Sequence, residues 1–340
     1  MQSIRYENGS LFVLDQTMLP SKESYKELKT YRDAGYALAD MVVRGASLCA
    51  IVMAYGMILA AEKARSEDVE IFREDVYAAL DFFEKTRINS PLSHAYLAKM
   101  REMIQNEYSI EKIKSALDNE VKLMTSREKE YSKGLVDKCS GIISDNDSIL
   151  TYSNYGALAS VSEGSVIPVI CEGVRAHNNI KVYCAETRPY LQGAKLTAWE
   201  FKKHGIDVTV ITDNAAAFMM KTGKINKVIT GADRIAKNGD IVAKIGTYML
   251  ALSAKANNVP FYVAAPSFLV DDSLIKGSDA AIEERPISEV AHLSDITVVP
   301  EGIKIINPVF DVTEAALITA LATEKGIEKN LASAGTSAIA

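Results

Sequence analysis

Apolar positions along this chain keep two different rhythms, and the change from one to the other falls near Ser140. Within residues 1–20, Asn8-Gly9 supplies a tight turn ahead of the apolar Leu11-Phe12-Val13-Leu14, so a small hairpin is expected. From Pro20-Ser21, which is expected to open the first helix, the spacing becomes helical. Apolar residues recur every three or four positions through Leu48, Ile51, Val52, Tyr55, Ile58 and Leu59. Further helices are predicted over 67–85, 91–105, 110–118 and 119–140, the last rich in mixed charge and placed on the surface or between two lobes. Gly45 to Ala61 carries no charge, but it is short for a membrane span and interrupted by Gly56. It predicts a buried helix.

After Ser140 the rhythm becomes strand, turn, helix. Strands are expected at Ser148–Tyr152, Ile180–Cys184, Asp207–Ile211, Lys227–Thr230, Pro260–Ala264 and Ile296–Val299. Helices fall between them at 164–176, 193–204, 214–222, 243–257 and 286–292, with Gly205 and Gly223 where C-caps belong. Alternation of this kind predicts an α/β fold: a doubly wound parallel sheet with helices on both faces. Two domains follow, 1–140 a hairpin and helical domain and 141–340 the sheet domain.

Composition narrows the class of protein. A chain of 340 residues, 48% apolar and 24% charged, has room for one large or two ordinary domains. A net charge of −6 gives no reason to expect nucleic acid or an acidic membrane as partner. Cys49, Cys139, Cys171 and Cys184 show no metal spacing, and a reduced cytoplasmic location is expected. The four histidines do not cluster, which argues against a histidine-rich metal site.

The carboxyl ends of parallel strands line the ligand crevice of an open sheet. Three segments are expected there: Thr151-Tyr-Ser-Asn-Tyr-Gly156, Ala185-Glu-Thr-Arg-Pro-Tyr-Leu-Gln192 and Gly231-Ala-Asp-Arg234. They bring a hydroxyl (Ser153), two carboxylates (Glu186, Asp233), an arginine (Arg188) and an amide (Gln192), with Lys244 near the start of the next helix. Cations and helix N–H groups hold phosphate, and a carboxylate moves protons, so the set suits a phosphorylated polyol. Locally, Asp233 reads equally well as a cap or as a proton-transfer group. Val43-Arg-Gly-Ala46, at a helix start, reads either as a phosphate clamp from across a cleft or as a surface arginine before a buried helix. Thr86-Arg87 is a weaker candidate of the same kind, and Glu283-Glu-Arg285 reads as structural or as a subunit contact.

These segments resemble the methylthioribose-1-phosphate isomerase family, homologous to the regulatory subunits of eukaryotic initiation factor 2B. The matching stretches include LDQTMLP (14–20), VRGA (43–46), ETRPYLQGAKLTAWE (186–200), VITGADRI (228–235), NGDIVAKIGTY (238–248) and NPVFDVT (307–313). The resemblance implies a helical lobe on a Rossmann-like lobe, usually as a homodimer. It implies a small-molecule sugar phosphate as partner, with no metal or nucleotide cofactor, and a place in methionine salvage. Carried over by position, Asp233 matches the catalytic aspartate, while Arg44, Gly45, Ala46, Arg87, Gln192 and Lys244 match phosphate and sugar contacts. The implied reaction opens a furanose 1-phosphate and moves hydrogen from C2 to C1, with Asp233 as acid/base in a dry site that holds its pKa up.

Three departures stand out. The family carries a cysteine within (T/H)CN(A/T)G, and this chain reads Tyr152-Ser153-Asn154-Tyr155-Gly156, so Ser153 holds the cysteine position. Ala243 stands where the family has Asn, and Ile88 where it has Pro. A serine hydroxyl is far less acidic than a thiol. Cys184, one strand end away, reads as a substitute thiol or as an inert buried one. A non-catalytic sugar-phosphate or nucleotide-binding regulatory protein, like the initiation-factor relatives, is therefore the alternative function. A nicotinamide dehydrogenase is a poor third, because no strand is followed by G-x-G-x-x-G.

Overall fold

Asn8 and Gly9 both adopt the left-handed conformation (φ 51° and 70°) and close the turn between β1 (Ile4–Glu7) and β2 (Ser10–Leu14). The hairpin gains a third strand, β3 (Tyr25–Leu28), antiparallel to β2 with Leu11 opposite Leu28. The first helix therefore does not open at Pro20-Ser21. It is α1 (Tyr31–Ala39), whose capping box joins the Thr30 hydroxyl to the Asp33 N–H and the Asp33 carboxylate to the Thr30 N–H. Pairing with the open edge of β2, and burial of Leu28, outweigh the local helix signal.

The computed structural model describes residues 2–86 and 91–329, which divide into two units. One holds the residues up to Glu130 together with Gly156–Gly164. Its centre is α2 (Ala46–Lys63), where Leu48, Val52, Met53, Met57 and Leu59 are fully buried. Among the described residues α2 is the one helix long and apolar enough to cross a membrane, and 67% of it is buried in the protein. An all-round apolar helix of this kind is a core helix. Gly56 lets α3 (Val69–Lys85) close on it, since a Cβ there would lie 2.4 Å from the Phe83 ring. After α4 (Pro91–Asn106) comes α5 (Ile110–Cys139), one continuous helix where two were expected. Ile113, Leu117, Val121 and Met124 keep a single buried stripe across the expected break at 118–119, and Asp118 pairs with Lys122 at 2.6 Å.

The second unit runs from Tyr131 to Tyr155 and from Ser165 onward. Its elements in chain order are β4 (Ser148–Thr151), α6 (Val166–Ala176), β5 (Lys181–Ala185), α7 (Ala198–Lys203), β6 (Val208–Ile211), α8 (Ala215–Lys221) and β7 (Lys227–Thr230). There follow β8 (Arg234–Ile235), β9 (Ile241–Lys244), α9 (Thr247–Ala256), β10 (Phe261–Ala264), α10 (Ser288–Ala291), β11 (His292–Leu293), β12 (Ile296–Thr297), β13 (Phe310–Thr313), β14 (Ala320–Thr323) and β15 (Gly326–Lys329). Among the described residues the main sheet has the order β15-β14-β10-β7-β4-β5-β6, parallel except for the edge strand β15. Numbered as parallel strands this is 3-2-1-4-5-6, the dinucleotide-fold order, whose connections reverse between β4 and β7. Alternate residues feed two cores. Ile149, Val182, Ile229 and Ala264 pack with α6 and α7, while Leu150, Val228, Val263 and Leu321 pack with α8 and α9.

Two expectations fail in this unit. Ile296–Val299 is not a strand of the main sheet: among the described residues Ile296–Thr297 pairs only with His292–Leu293, in a two-stranded sheet. The sixth parallel strand is β14, whose Ala-Leu-Ala-Thr has weak strand propensity and is fixed by burial on both faces. Lys244 is not part of the helix expected over 243–257 either, although it lies three residues before the start of α9. It ends β9, paired between β8 and β13, and α9 begins only after Gly246 at φ 101°.

Candidate active site

The chain leaves β4 through Ser153 in the left-handed conformation (φ 62°), which side-chain-bearing residues rarely adopt. Such a residue costs on the order of 1–3 kcal/mol and persists where its surroundings overdetermine it. Here the Ser153 N–H donates to Thr187 Oγ1 (3.0 Å) and its carbonyl accepts from Thr197 Oγ1 (2.5 Å). The next residue, Asn154, donates through Nδ2 to the buried Glu200 carboxylate (2.7 Å) and to Thr197 Oγ1 (3.2 Å). Ser153 itself is 3% exposed.

Tyr155 then crosses to the neighbouring strand end. Its carbonyl accepts the Ser165 and Val166 N–H groups at the start of α6, both at 3.0 Å. Its ring lies on Gly231, where a Cβ would come within 2.5 Å of it, and its hydroxyl donates to Asp233 Oδ2 at 3.0 Å. Asp233 precedes β8, and its N–H donates to the Val242 carbonyl (3.0 Å), so no helix starts there for it to cap. Arg234 is turned to Asp271, with Nη2 2.7 Å from Oδ2. The β4 loop thus meets the β5 loop through Ser153–Thr187 and the β7 end through Tyr155–Asp233, at the point where strand order reverses.

The β5 loop is held by Asp213, whose carboxylate accepts the Thr187 and Arg188 N–H groups (2.8 and 2.7 Å), while burial raises its pKa. The Arg188 guanidinium donates to the Pro189 and Val290 carbonyls (both 3.2 Å), so it serves the loop. Gln192 is 5% exposed, and among the described residues its Oε1 is buried without a hydrogen bond. A buried acceptor in that state is costly unless a ligand group completes it. Lys244 Nζ lies 5.1 Å from the Phe310 ring centre. Beside it Asp311 Oδ2 accepts the Gly246 and Tyr248 N–H groups (2.6 and 3.2 Å), so a carboxylate of the chain takes these groups at the start of α9. Burial lifts Asp311 to about 6 against those N–H groups and Lys244.

In the other unit Gly45 caps α2 at φ 88°, and a Cβ there would lie 2.7 Å from Ala159. Arg44 is 5% exposed, so it is not a surface arginine. Ala46 is the first residue of α2. Arg87 and Ile88 lie outside the described residues. Within the chain, Glu283–Arg285 is bonded to Asn307 and Val309, with Arg285 paired to Glu289. Cys184 is buried against the Gly193 carbonyl and pushed up to about 12, the state of an inert thiol. Among the described residues no three His, Cys, Asp or Glu side chains gather as metal ligands. Tyr155, Asp213 and Asp311 escaped the sequence reading. Tyr155 had a signal, since it lies in the segment singled out for Ser153.

The model of the initiation factor 2 subunit family matches residues 42–330. The chain belongs to that family, and within it to the methylthioribose-1-phosphate isomerase family. A protein of Thermotoga neapolitana named methylthioribose-1-phosphate isomerase is 43% identical over 328 residues, covering 96% of this chain and 95% of the relative. Another of that name, from Thermoanaerobacter pseudethanolicus, is 42% identical over 331 residues, 97% and 96% of the two chains. Of solved structures, 5-methylthioribose 1-phosphate isomerase from Pyrococcus horikoshii OT3 is similar with a TM-score of 0.88 at 30% identity, over 97% of this chain and 93% of its own. Translation initiation factor eIF-2B subunit delta from A. fulgidus gives 0.87 at 34% identity, over 100% and 99%.

Proposed function

We propose that this protein is an aldose–ketose isomerase that converts a 5-substituted ribose 1-phosphate, of the methylthioribose or 5-deoxyribose type, to the ribulose 1-phosphate. One observation carries the proposal: a carboxylate, Asp233, and a strained, buried hydroxyl, Ser153, stand at adjoining carboxyl ends where the strand order reverses. The full-length likeness to proteins named for this reaction supports it.

The anomeric phosphate blocks spontaneous ring opening, so the reaction begins by protonating the ring oxygen as the C1–O bond breaks. A proton then leaves C2, C1 gains one, and the C2 hydroxyl gives up its proton as the ketone forms, offsetting the proton taken by the ring oxygen, so the atoms balance. Asp233 is assigned the proton transfers, and the Ser153 hydroxyl contacts the sugar from the β4 loop. On the resemblance, Arg44, Gly45, Ala46, Arg87, Gln192 and Lys244 are assigned to the phosphate and sugar, with the unbonded Gln192 Oε1 as an acceptor for a sugar hydroxyl. Residues 1–140 and 141–340 act as the two domains of a cytoplasmic homodimer in methionine salvage, with no metal or nucleotide cofactor.

Purified protein incubated with methylthioribose 1-phosphate and with 5-deoxyribose 1-phosphate should form ketose, and Asp233→Asn should lower kcat at least 100-fold. No ketose from either sugar, with Asp233→Asn indistinguishable from the parent, rejects the enzyme. The serine at 153 and alanine at 243 favour one second reading, a sugar-phosphate or nucleotide-binding regulatory protein. That reading requires phosphosugars or nucleoside monophosphates to raise the Tm without being converted.

A further inference from the structure

We propose that Tyr155 is a positioning residue that orients Asp233 and lowers the pH at which this acid/base ionises. The inference rests on the isomerase reading for its catalytic consequence, but the contact can be tested without turnover. A phenol that donates a hydrogen bond to a carboxylate stabilises the charged form and fixes the direction of the remaining lone pairs. Here the donor itself is fixed from three sides. Its carbonyl takes two N–H groups of α6, its ring rests on Gly231, and the preceding turn is locked by Ser153 and Asn154.

A buried tyrosine usually satisfies its hydroxyl on whatever acceptor is near, often a backbone carbonyl. This one, half-buried, ends on the carboxylate at the crevice, and Gly231 beneath it leaves no room for a Cβ. The result is a side chain from the first strand end that sets the orientation of the acid/base on the fourth. The charged groups on the elements packed around this corner include Arg234, paired to Asp271, Lys244 at the end of β9, Asp311 on β13, and, from the β5 loop, Glu186 and Arg188, with the Asp213 that holds that loop. Changing Tyr155 to Phe leaves all of them in place and removes one oxygen.

Tyr155→Phe should keep the parent Tm, because the ring still covers Gly231, while Tyr155→Ala lowers it. In the Phe variant kcat should fall roughly tenfold or more with KM within about twofold. The limb of its kcat/KM profile that reports Asp233 should move up by about one pH unit, since a carboxylate without its donor takes a proton more readily. Separately, the tyrosine Cζ carbon resonance that vanishes in Tyr155→Phe should titrate with Asp233 and lose that step in Asp233→Asn. A superimposable pH profile together with a Tyr155 resonance indifferent to Asp233→Asn overturns the proposal. If the parent protein turns over no sugar phosphate, the isomerase reading falls, and the resonance alone decides for or against the Tyr155–Asp233 coupling.

Discussion

Glu128 shows how a single buried carboxyl sets a pH dependence. It lies in α5, receives hydrogen bonds from the hydroxyls of Ser47 and Ser160, and is lifted by burial from its ordinary 4.5 to about 7. The folded state therefore binds a proton that the unfolded state releases between about pH 4.5 and 7. Stability should be highest at the acid end of that window and decline as pH rises through it. In thermal melts, the Tm of the parent should fall from pH 5 to pH 8 by more than that of Glu128→Gln, whose amide carries no charge to desolvate. Equal pH slopes would mean that Glu128 is not the group. Ser153 poses the complementary question at the crevice. Restoring the family thiol with Ser153→Cys should raise isomerase turnover at least tenfold, because a thiol ionises far more readily than a hydroxyl. A variant no faster than the parent would remove Ser153 from the chemistry. Both residues were visible in the sequence, but only Ser153 sat in a motif; nothing local marks Glu128 as buried.

Among the secondary structure elements, the tightest constraint lies where β5 passes into the turn before α7. Gly193 opens a π-helical turn over Gly193–Thr197, and a Cβ on it would stand 1.7 Å from the Ala185 carbonyl oxygen. Backbone lies against backbone, so relief requires the strand end itself to move. Gly193→Ala should cost about 3 kcal/mol or more in denaturant unfolding. Thr30→Ala, which loses only the α1 capping box, should cost about 1 kcal/mol. If the two variants unfold alike, the close approach at Gly193 is not a constraint. The elements that sequence periodicity placed well are those with a strong local signal, such as β7 and α3. Those it misplaced were decided by partners distant in the chain. β3 forms because β2 offers an edge, Lys244 belongs to a strand because β13 pairs with β9, and β14 is a strand because β10 lies beside it.

For the molecule as a whole, the homodimer proposal has a surface to explain. Phe218, Met249 and Leu252, on α8 and α9, are 63, 42 and 44% exposed. Isolated apolar residues on a surface are normal, and these three, on helices that pack on each other, are the ones a dimer is proposed to cover. Light scattering after size exclusion should give twice the 37.1 kDa chain mass, and Phe218→Glu with Leu252→Glu should shift the protein to a monomer. A monomeric parent would reject the dimer, and a dimer untouched by both changes would place its interface elsewhere.

The strand-end segments around Ser153, Gln192 and Asp233 are legible in the sequence alone, because periodicity marks where a strand stops and side-chain chemistry marks what stands there. The same holds for the change of rhythm near Ser140 and for the family. What only the folded chain decided was who meets whom. The order that sets β4 beside β7 brings Tyr155 onto Asp233, and the pairing of β9 with β13 turns Asp311 into the cap of α9. The reason is physical: local pattern encodes the period of an element and the face it buries. Strand neighbours far apart in sequence are chosen by the burial and hydrogen bonding of the whole sheet at once.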